Sequence, residues 1–324
     1  MLVKVPHHRP ARQADLAALE REFTLLKTLP GEITKAIALL RQGGYYALVF
    51  EDTTGVLLSK LCDVGPLDLA ATLAIAIQIT TAFAELHRRD LIHGGISPEA
   101  ILVDPTGWRA RLIDFSNTRR ASAKMQTLSS PDLPLSPLQY ASPEQTGRMN
   151  RSVDYRTDFY SLGVMLYQLL TGTCPFRSDD PLALVHAHIA KNPVAPSELN
   201  SRIPKALDQV LMKLLGKTAE ERYQSTLGLR TDLEHCAKQW AEKGAISPFS
   251  LGNQDVSDRF ILPQHLYGRE RQLDELLETF DKVCEGRSAL LLVSGYSGVG
   301  KTTLIQELYK PLVRQRGYFI NGKF

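Results

Sequence analysis

Gly295-Tyr296-Ser297-Gly298-Val299-Gly300-Lys301-Thr302 is a complete G-x-x-x-x-G-K-T run. Such a run can hold a chain of phosphates. Its glycines let backbone N–H groups turn toward the anion, and the helix that follows presents its positive end. The lysine reaches the β- and γ-phosphates, and the threonine hydroxyl ligates Mg2+. Gly295, Gly298, Gly300, Lys301 and Thr302 are therefore candidate nucleotide-binding residues, with Thr302 also a candidate metal ligand. The flanks agree: the apolar run Ala289–Val293 predicts a strand before the loop, and Thr303–Leu312 predicts a helix after it. A chance Gly-rich turn would not need both. No acidic strand end follows to supply a second carboxylate. The residues from Tyr267 onward are expected to be too few for a doubly wound sheet, poorly packed, and unable to hydrolyse nucleotide alone.

Nearer the start, a second series runs in fixed order. It comprises Lys4, Glu22, His93-Gly94-Gly95-Ile96-Ser97-Pro98-Glu99-Ala100, Asp114-Phe115-Ser116, Ser142-Pro143-Glu144, Asp158 and Arg222. Singly, Lys4 reads as a solvated lysine and Glu22 as a helix-face charge. In order and interval the series resembles a protein kinase. The resemblance implies an α+β protein-kinase-like fold, with an N-lobe lacking its first strands and a helical C-lobe, followed by the start of an α/β P-loop NTPase domain. It implies ATP and Mg2+ as cofactors. Lys4 would neutralise the α- and β-phosphates, Glu22 would hold Lys4 by an ion pair, and Asp114 would bind Mg2+, although Ser116 stands where glycine is usual. His93, Glu144, Asp158 and Arg222 would be structural. Glu144 would pair with Arg222, and Asp158 would tie down the loop after His93.

The likeness is narrower than kinases at large. Ser142–Arg151, Asp154–Gly163, Gly216–Ser225 and Tyr267-Gly268-Arg269-Glu270 resemble large bacterial multidomain Ser/Thr protein kinases. In that family an AAA/STAND ATPase module follows the kinase domain, then GAF and histidine-kinase modules.

The chain departs from the pattern where chemistry is done. The family sequence H-x-D-I-x-P-x-N has Gly95 at the general-base position and Ala100 at the metal-binding Asn position, so no catalytic residue is intact. A positioned base is worth about 10²–10⁴-fold in rate. Asp90 and Glu99 are the nearby acids that could substitute. Gly94 removes the arginine that would read a phosphate within Ser122–Ser130. The Gly-rich loop expected before Lys4 is missing, which would leave an open sheet edge. The leading expectation is a signalling module with ATP-binding features and impaired catalysis, resembling a pseudokinase. An active serine/threonine kinase and a truncated gene product with no independent role are the alternatives.

The elements that must position these residues follow from periodicity. Met1–Val5 reads as a strand end, Asp15–Leu29 as a helix, Tyr45–Phe50 as a strand and Leu67–Arg89 as a long buried helix. Ile101–Val103 and Ala110–Ile113 read as a hairpin, and residues 114–153 as a long loop rich in Ser and Pro. Helices are predicted over Asp158–Leu170, Pro181–Lys191, Pro204–Leu215, Ser225–Lys243 and Glu270–Val283. The expected domains are 1–243, kinase-like; 244–266, linker; and 267–324, a partial P-loop ATPase domain. The 324 residues are 44% hydrophobic and 23% charged with net charge +3, giving no reason to expect nucleic acid as a partner. Protein partners or downstream signalling modules are expected instead. The apolar stretch Leu69–Ala84 falls short of the about 20 residues of a membrane span. Four scattered cysteines and no apolar leader fit a cytoplasmic location.

Overall fold

The computed structural model describes residues 2–6, 13–29, 33–43, 45–51, 54–121, 138–149, 151–257, 268–296, 298–308 and 311–312. The side chains of Ala14, Thr302 and Gln306 lie outside that description, as do Ser122–Ser130 and Ser297.

The chain begins as a small lobe. Strand β1 (Val3–Lys4) leads to helix α1 (Gln13–Leu26), then to strands β2 (Ala36–Gln42) and β3 (Tyr45–Phe50). The three strands form an antiparallel sheet ordered β1-β3-β2, with Lys4 opposite Leu48. Among the described residues β1 pairs with β3 alone. Strand β2 was not predicted. Gly43, at φ +56°, opens the turn of its hairpin with β3, and the Gly43-Gly44 pair between apolar runs is the signal for it. On α1, Leu19, Glu22 and Leu26 fall on one face, three to four residues apart, and all are buried. The helix thus carries one carboxylate into its own apolar contact with the sheet.

Strand β4 (Val56–Leu57) runs into a short helix, α2 (Leu58–Cys62), neither of them predicted. The long helix α3 (Leu69–Arg88) follows, its start capped by Asp68, which accepts a hydrogen bond from the Ala71 N–H at 2.8 Å. It is long and apolar enough to cross a membrane, but 61% of its apolar stretch is buried within the protein. It is the spine of the helical lobe. Strand β5 (Leu91–Ile92) leaves it, and β6 (Ile101–Asp104) and β7 (Arg109–Leu112) form the predicted hairpin, with Trp108 at φ +50° in the turn. Within the predicted loop, β8 (Arg119–Arg120) pairs with β5. The strand order β4-β6-β7 completes a platform under the loop that follows His93.

The remaining lobe is helical: α4 (Arg156–Thr171), α5 (Pro181–Ala190), α6 (Pro196–Leu199), α7 (Lys205–Leu214) and α8 (Thr226–Lys243). Gly172, at φ +75°, ends α4 in the left-handed conformation that glycine adopts freely. Gly163 lets α4 and α7 approach closely, since a Cβ there would lie 2.7 Å from Leu214 Cβ. Within the stretch expected to be a linker, residues 244–257 lie against this lobe. Ile246 is buried in its core, and Asp255 accepts hydrogen bonds from the Gln224 and Ser225 N–H groups and from Lys213 Nζ.

The last described part holds helix α9 (Glu270–Cys284), as predicted, and α10 (Lys301–Gln306), shorter than the expected Thr303–Leu312. Ala289–Val293 does not form the predicted strand. Leu290 and Leu292 are 97% and 90% exposed. An apolar extended run becomes a strand only when a neighbour takes its N–H and C=O groups and covers its side chains, and no described strand lies beside this one.

Candidate active-site cleft

Three elements meet at Lys4. Strand β1 supplies the lysine, α1 supplies Glu22, and the segment after β7 supplies Asp114. Lys4 Nζ donates to Glu22 Oε2 at 2.6 Å and to Asp114 Oδ1 at 2.6 Å. Glu22 Oε1 accepts the Phe115 N–H at 2.9 Å. The sequence separations are 18 and 110 residues, so the fold assembles the trio that the sequence order suggested. Burial disfavours the Lys4 ammonium, but the two carboxylates outweigh it and raise its pKa above the usual lysine value. At Glu22 burial dominates, and the carboxyl sits above its ordinary range despite Lys4. At Asp114 burial again opposes the charge, but Lys4 and Ser116 win and draw the carboxyl down to about 2.

Ser116 departs from the expected glycine and has a task of its own. Its N–H and hydroxyl both donate to Asp114 Oδ1, at 3.0 and 2.8 Å. Among the described residues every hydrogen bond to the Asp114 carboxylate falls on Oδ1, and Oδ2 carries none. One ionised carboxylate oxygen suits Mg2+, which binds through one or two carboxylates plus nucleotide phosphates. Ala100, which is buried, offers no second donor. No described cluster of three or more His, Cys, Asp or Glu side chains could hold a metal without such phosphates.

The loop after His93 is held from below. Asp158, fully buried in the first turn of α4, accepts from the His93 N–H at 3.0 Å and the Gly94 N–H at 2.8 Å. His87 Nε2 is 2.8 Å from the same carboxylate. His87 and Gln145, which donates to Gly94 O at 2.9 Å, were not singled out from sequence. His93 packs against Phe115 at a ring separation of 5.1 Å, and burial pushes its imidazole pKa down. Deeper in the lobe, Arg222 makes a two-pronged bond with Glu144, at 2.6 and 2.8 Å. The scaffold is therefore arranged around the cleft as expected, while the positions at its centre are empty of acid. The nearest side chain to Gly95 is Asn117, an exposed amide that no sequence pattern marks. Glu99 is exposed on the single turn Pro98–Ala100, and Asp90 is exposed at the end of α3, at φ +56°.

At the second motif the loop is shaped by Gly295, Gly298 and Gly300, all at positive φ. Lys301 Nζ folds back onto the carbonyls of Gly295 and Tyr296, each at 2.8 Å. Those carbonyls hold the lysine over the loop where phosphate oxygens would compete for it. The Thr302 side chain lies outside the described residues.

A two-lobed α/β arrangement with a Lys–Glu–Asp trio in the cleft and a buried Glu–Arg pair in the helical lobe defines a protein kinase fold. The family model for the protein kinase domain matches residues 1–235, and the model for the AAA ATPase domain matches residues 265–324. The chain belongs to the protein kinase domain family. It is similar to hybrid signal transduction histidine kinase G of Dictyostelium discoideum, 38% identical over 205 residues, which is 57% of this chain and 6% of that protein. It is 28% identical over 290 residues to histidine protein kinase 1 of Candida albicans, covering 80% of this chain and 12% of that one. Serine/threonine-protein kinase PknB of Mycobacterium tuberculosis is 31% identical over 187 residues, 57% of this chain and 29% of that protein. The matched region thus spans less than a third of each of these relatives.

Proposed function

We propose that this chain is a nucleotide-binding signalling module of the protein kinase fold, impaired in phosphoryl transfer, joined to a segment of a P-loop ATPase. One juxtaposition carries the reading. Lys4, Glu22 and Asp114 are assembled at hydrogen-bonding distance, while Gly95 and Ala100 stand where a base and a second metal ligand are needed. Lys4 would contact the α- and β-phosphates of ATP, and Asp114 Oδ2 would hold Mg2+. Phosphoryl transfer is driven by positioning and charge stabilisation, so a site without either group keeps affinity and loses rate. Gly295, Gly298, Gly300, Lys301 and Thr302 would hold a second nucleotide. The partners are further signalling modules or other proteins rather than nucleic acid, and the location is the cytoplasm, where the four free cysteines would stay reduced.

The test is MgATP titration of the full chain carrying Lys301→Ala, which silences the second loop. Binding should weaken about tenfold or more with Lys4→Met or Asp114→Ala, as removal of a charged hydrogen-bond partner implies. Transfer of the γ-phosphate to a generic Ser/Thr peptide should be absent. Transfer that Asp114→Ala abolishes would overturn the impairment and favour the second reading, an active serine/threonine kinase. The likeness to serine/threonine-protein kinase PknB motivates that alternative, and Glu99→Gln would then ask whether Glu99 is its base.

A further inference from the structure

A Cβ placed on Gly95 would lie 2.7 Å from Asn117 Nδ2, 3.2 Å from its Cβ and 3.4 Å from its Cγ. The three nearest atoms all belong to that one residue. The amide end of that exposed side chain can swing aside, but its Cβ is placed by the backbone, so a carbon at position 95 must push the Asn117 side chain out of its present place. Gly95 is not among the residues at positive φ, so its backbone does not call for glycine; what stands against a side chain there is Asn117. Asn117 is exposed, and its amide bonds to no described residue. Its place is set by backbone on either side. The Thr118 N–H donates to Phe115 O at 3.1 Å, and Arg119 is paired with Ile92 across β5 and β8. The turn after Asp114 is thereby pinned against the loop that starts at His93. An amide takes up no proton in the range where a carboxylate acts as a base.

We propose that Asn117 fills the acceptor side of the cleft in place of the absent carboxylate. The site admits MgATP from the side of Lys4 and Asp114 but does not hold a hydroxyl, from protein or water, in line with the γ-phosphate. This rests on the nucleotide-binding reading above. Gly95 and Asn117 are then one coupled change, and restoring the acid alone restores nothing.

Two measurements on the full chain test it. In the first, Gly95→Ala is made with Asn117 present and with Asn117→Gly, and Tm is read for all four chains. The alanine should lower Tm by about 3 °C or more in the presence of Asn117 and leave it level or raised in its absence. Equal shifts in both backgrounds would overturn the contact between the two positions. In the second, steady hydrolysis of MgATP is followed in the Lys301→Ala background, with water as the acceptor. Water attacks the γ-phosphorus, the bond to the β-phosphate oxygen breaks, and the carboxylate at 95 takes the proton. Gly95→Asp with Asn117→Gly should exceed Gly95→Asp alone about tenfold or more. Equal rates would overturn the acceptor-side assignment. If the native chain failed to bind MgATP at all, the nucleotide reading would fall while the Tm cycle still decided the packing of Gly95 and Asn117.

Discussion

Glu144→Gln isolates the contribution of a single buried charge pair. Arg222 is 1% exposed and its donors are taken. Nη1 and Nη2 reach the two Glu144 oxygens at 2.6 and 2.8 Å, Nε reaches Gly216 O at 2.9 Å, and Nη1 also reaches Arg156 O at 3.1 Å. The guanidinium lies over the Tyr160 ring, 4.9 Å from its centre. A glutamine at 144 keeps the shape but removes the charge and turns an –NH₂ toward one arginine nitrogen, donor against donor. Breaking one side of a buried pair costs about 3–5 kcal/mol. A lobe of this size loses roughly 2–4 °C of Tm per kcal/mol, so Tm should fall by about 6–20 °C. Calorimetry or urea unfolding reads this directly. Replacing both partners, Glu144→Leu with Arg222→Met, should recover most of the loss, because no charge is then left unpaired. Acid gives an independent check. Arg222 overcomes the burial that would raise Glu144 and holds its folded pKa below the unfolded one. The pair's contribution is whole above about pH 4.3 and is lost as pH falls through the folded value. Glu144→Gln should therefore flatten the native chain's acid limb. A single-variant Tm change under 2 °C, or a double variant no better than the single, would refute this account of the lobe.

Asp158→Ala removes one acceptor from under three donors, the His93 and Gly94 N–H groups and His87. It should cost about 3 kcal/mol or more and speed amide exchange selectively at residues 92–95. Gly163→Val should destabilise by about 1–3 kcal/mol through the α4–α7 contact, whereas Gly172→Asn, at a left-handed cap, should cost less; urea midpoints rank the two. Asp114 titrates near 2 when folded against an unfolded value of about 3.9. Its share of stability is present above that unfolded value and lost as pH falls toward 2, and Asp114→Asn should remove that pH dependence without adding any near neutrality.

The cleft was legible in sequence because its residues come from a series whose order survives although each member is weak alone. Lys4, Glu22, Asp114, Asp158, Glu144 and Arg222 all take the places expected. The long helices were legible too, since α3 and α4 carry apolar residues all round and stop at Arg89 and Gly172. What was not legible is what depends on meeting across the chain. Asn117 matters only because β5 pairs with β8, a contact two residues long. His87 reads as one more polar position at the end of an apolar helix until Asp158 arrives from 71 residues away. Strand β2 is not legible in the sequence because its outward Ile37 and Leu40 blur the alternation. Ala289–Val293 shows the converse error: its composition favours a strand, but composition supplies no neighbour.

Asp255 makes a return stitch from the tail of the helical lobe to the opposite end of its last helix. Besides two backbone N–H groups it takes the Ser225 hydroxyl at 3.0 Å, and Gly228 leaves room for it, since a Cβ there would sit 2.5 Å from the Asp255 backbone. Gly252 N–H meanwhile donates to Asp232, which also receives Tyr223. A nick by protease between Lys243 and Gly252 would thus loosen α8 at its start, 17 residues upstream of its end, and fraying would begin beside the Glu144–Arg222 anchor rather than at the wound.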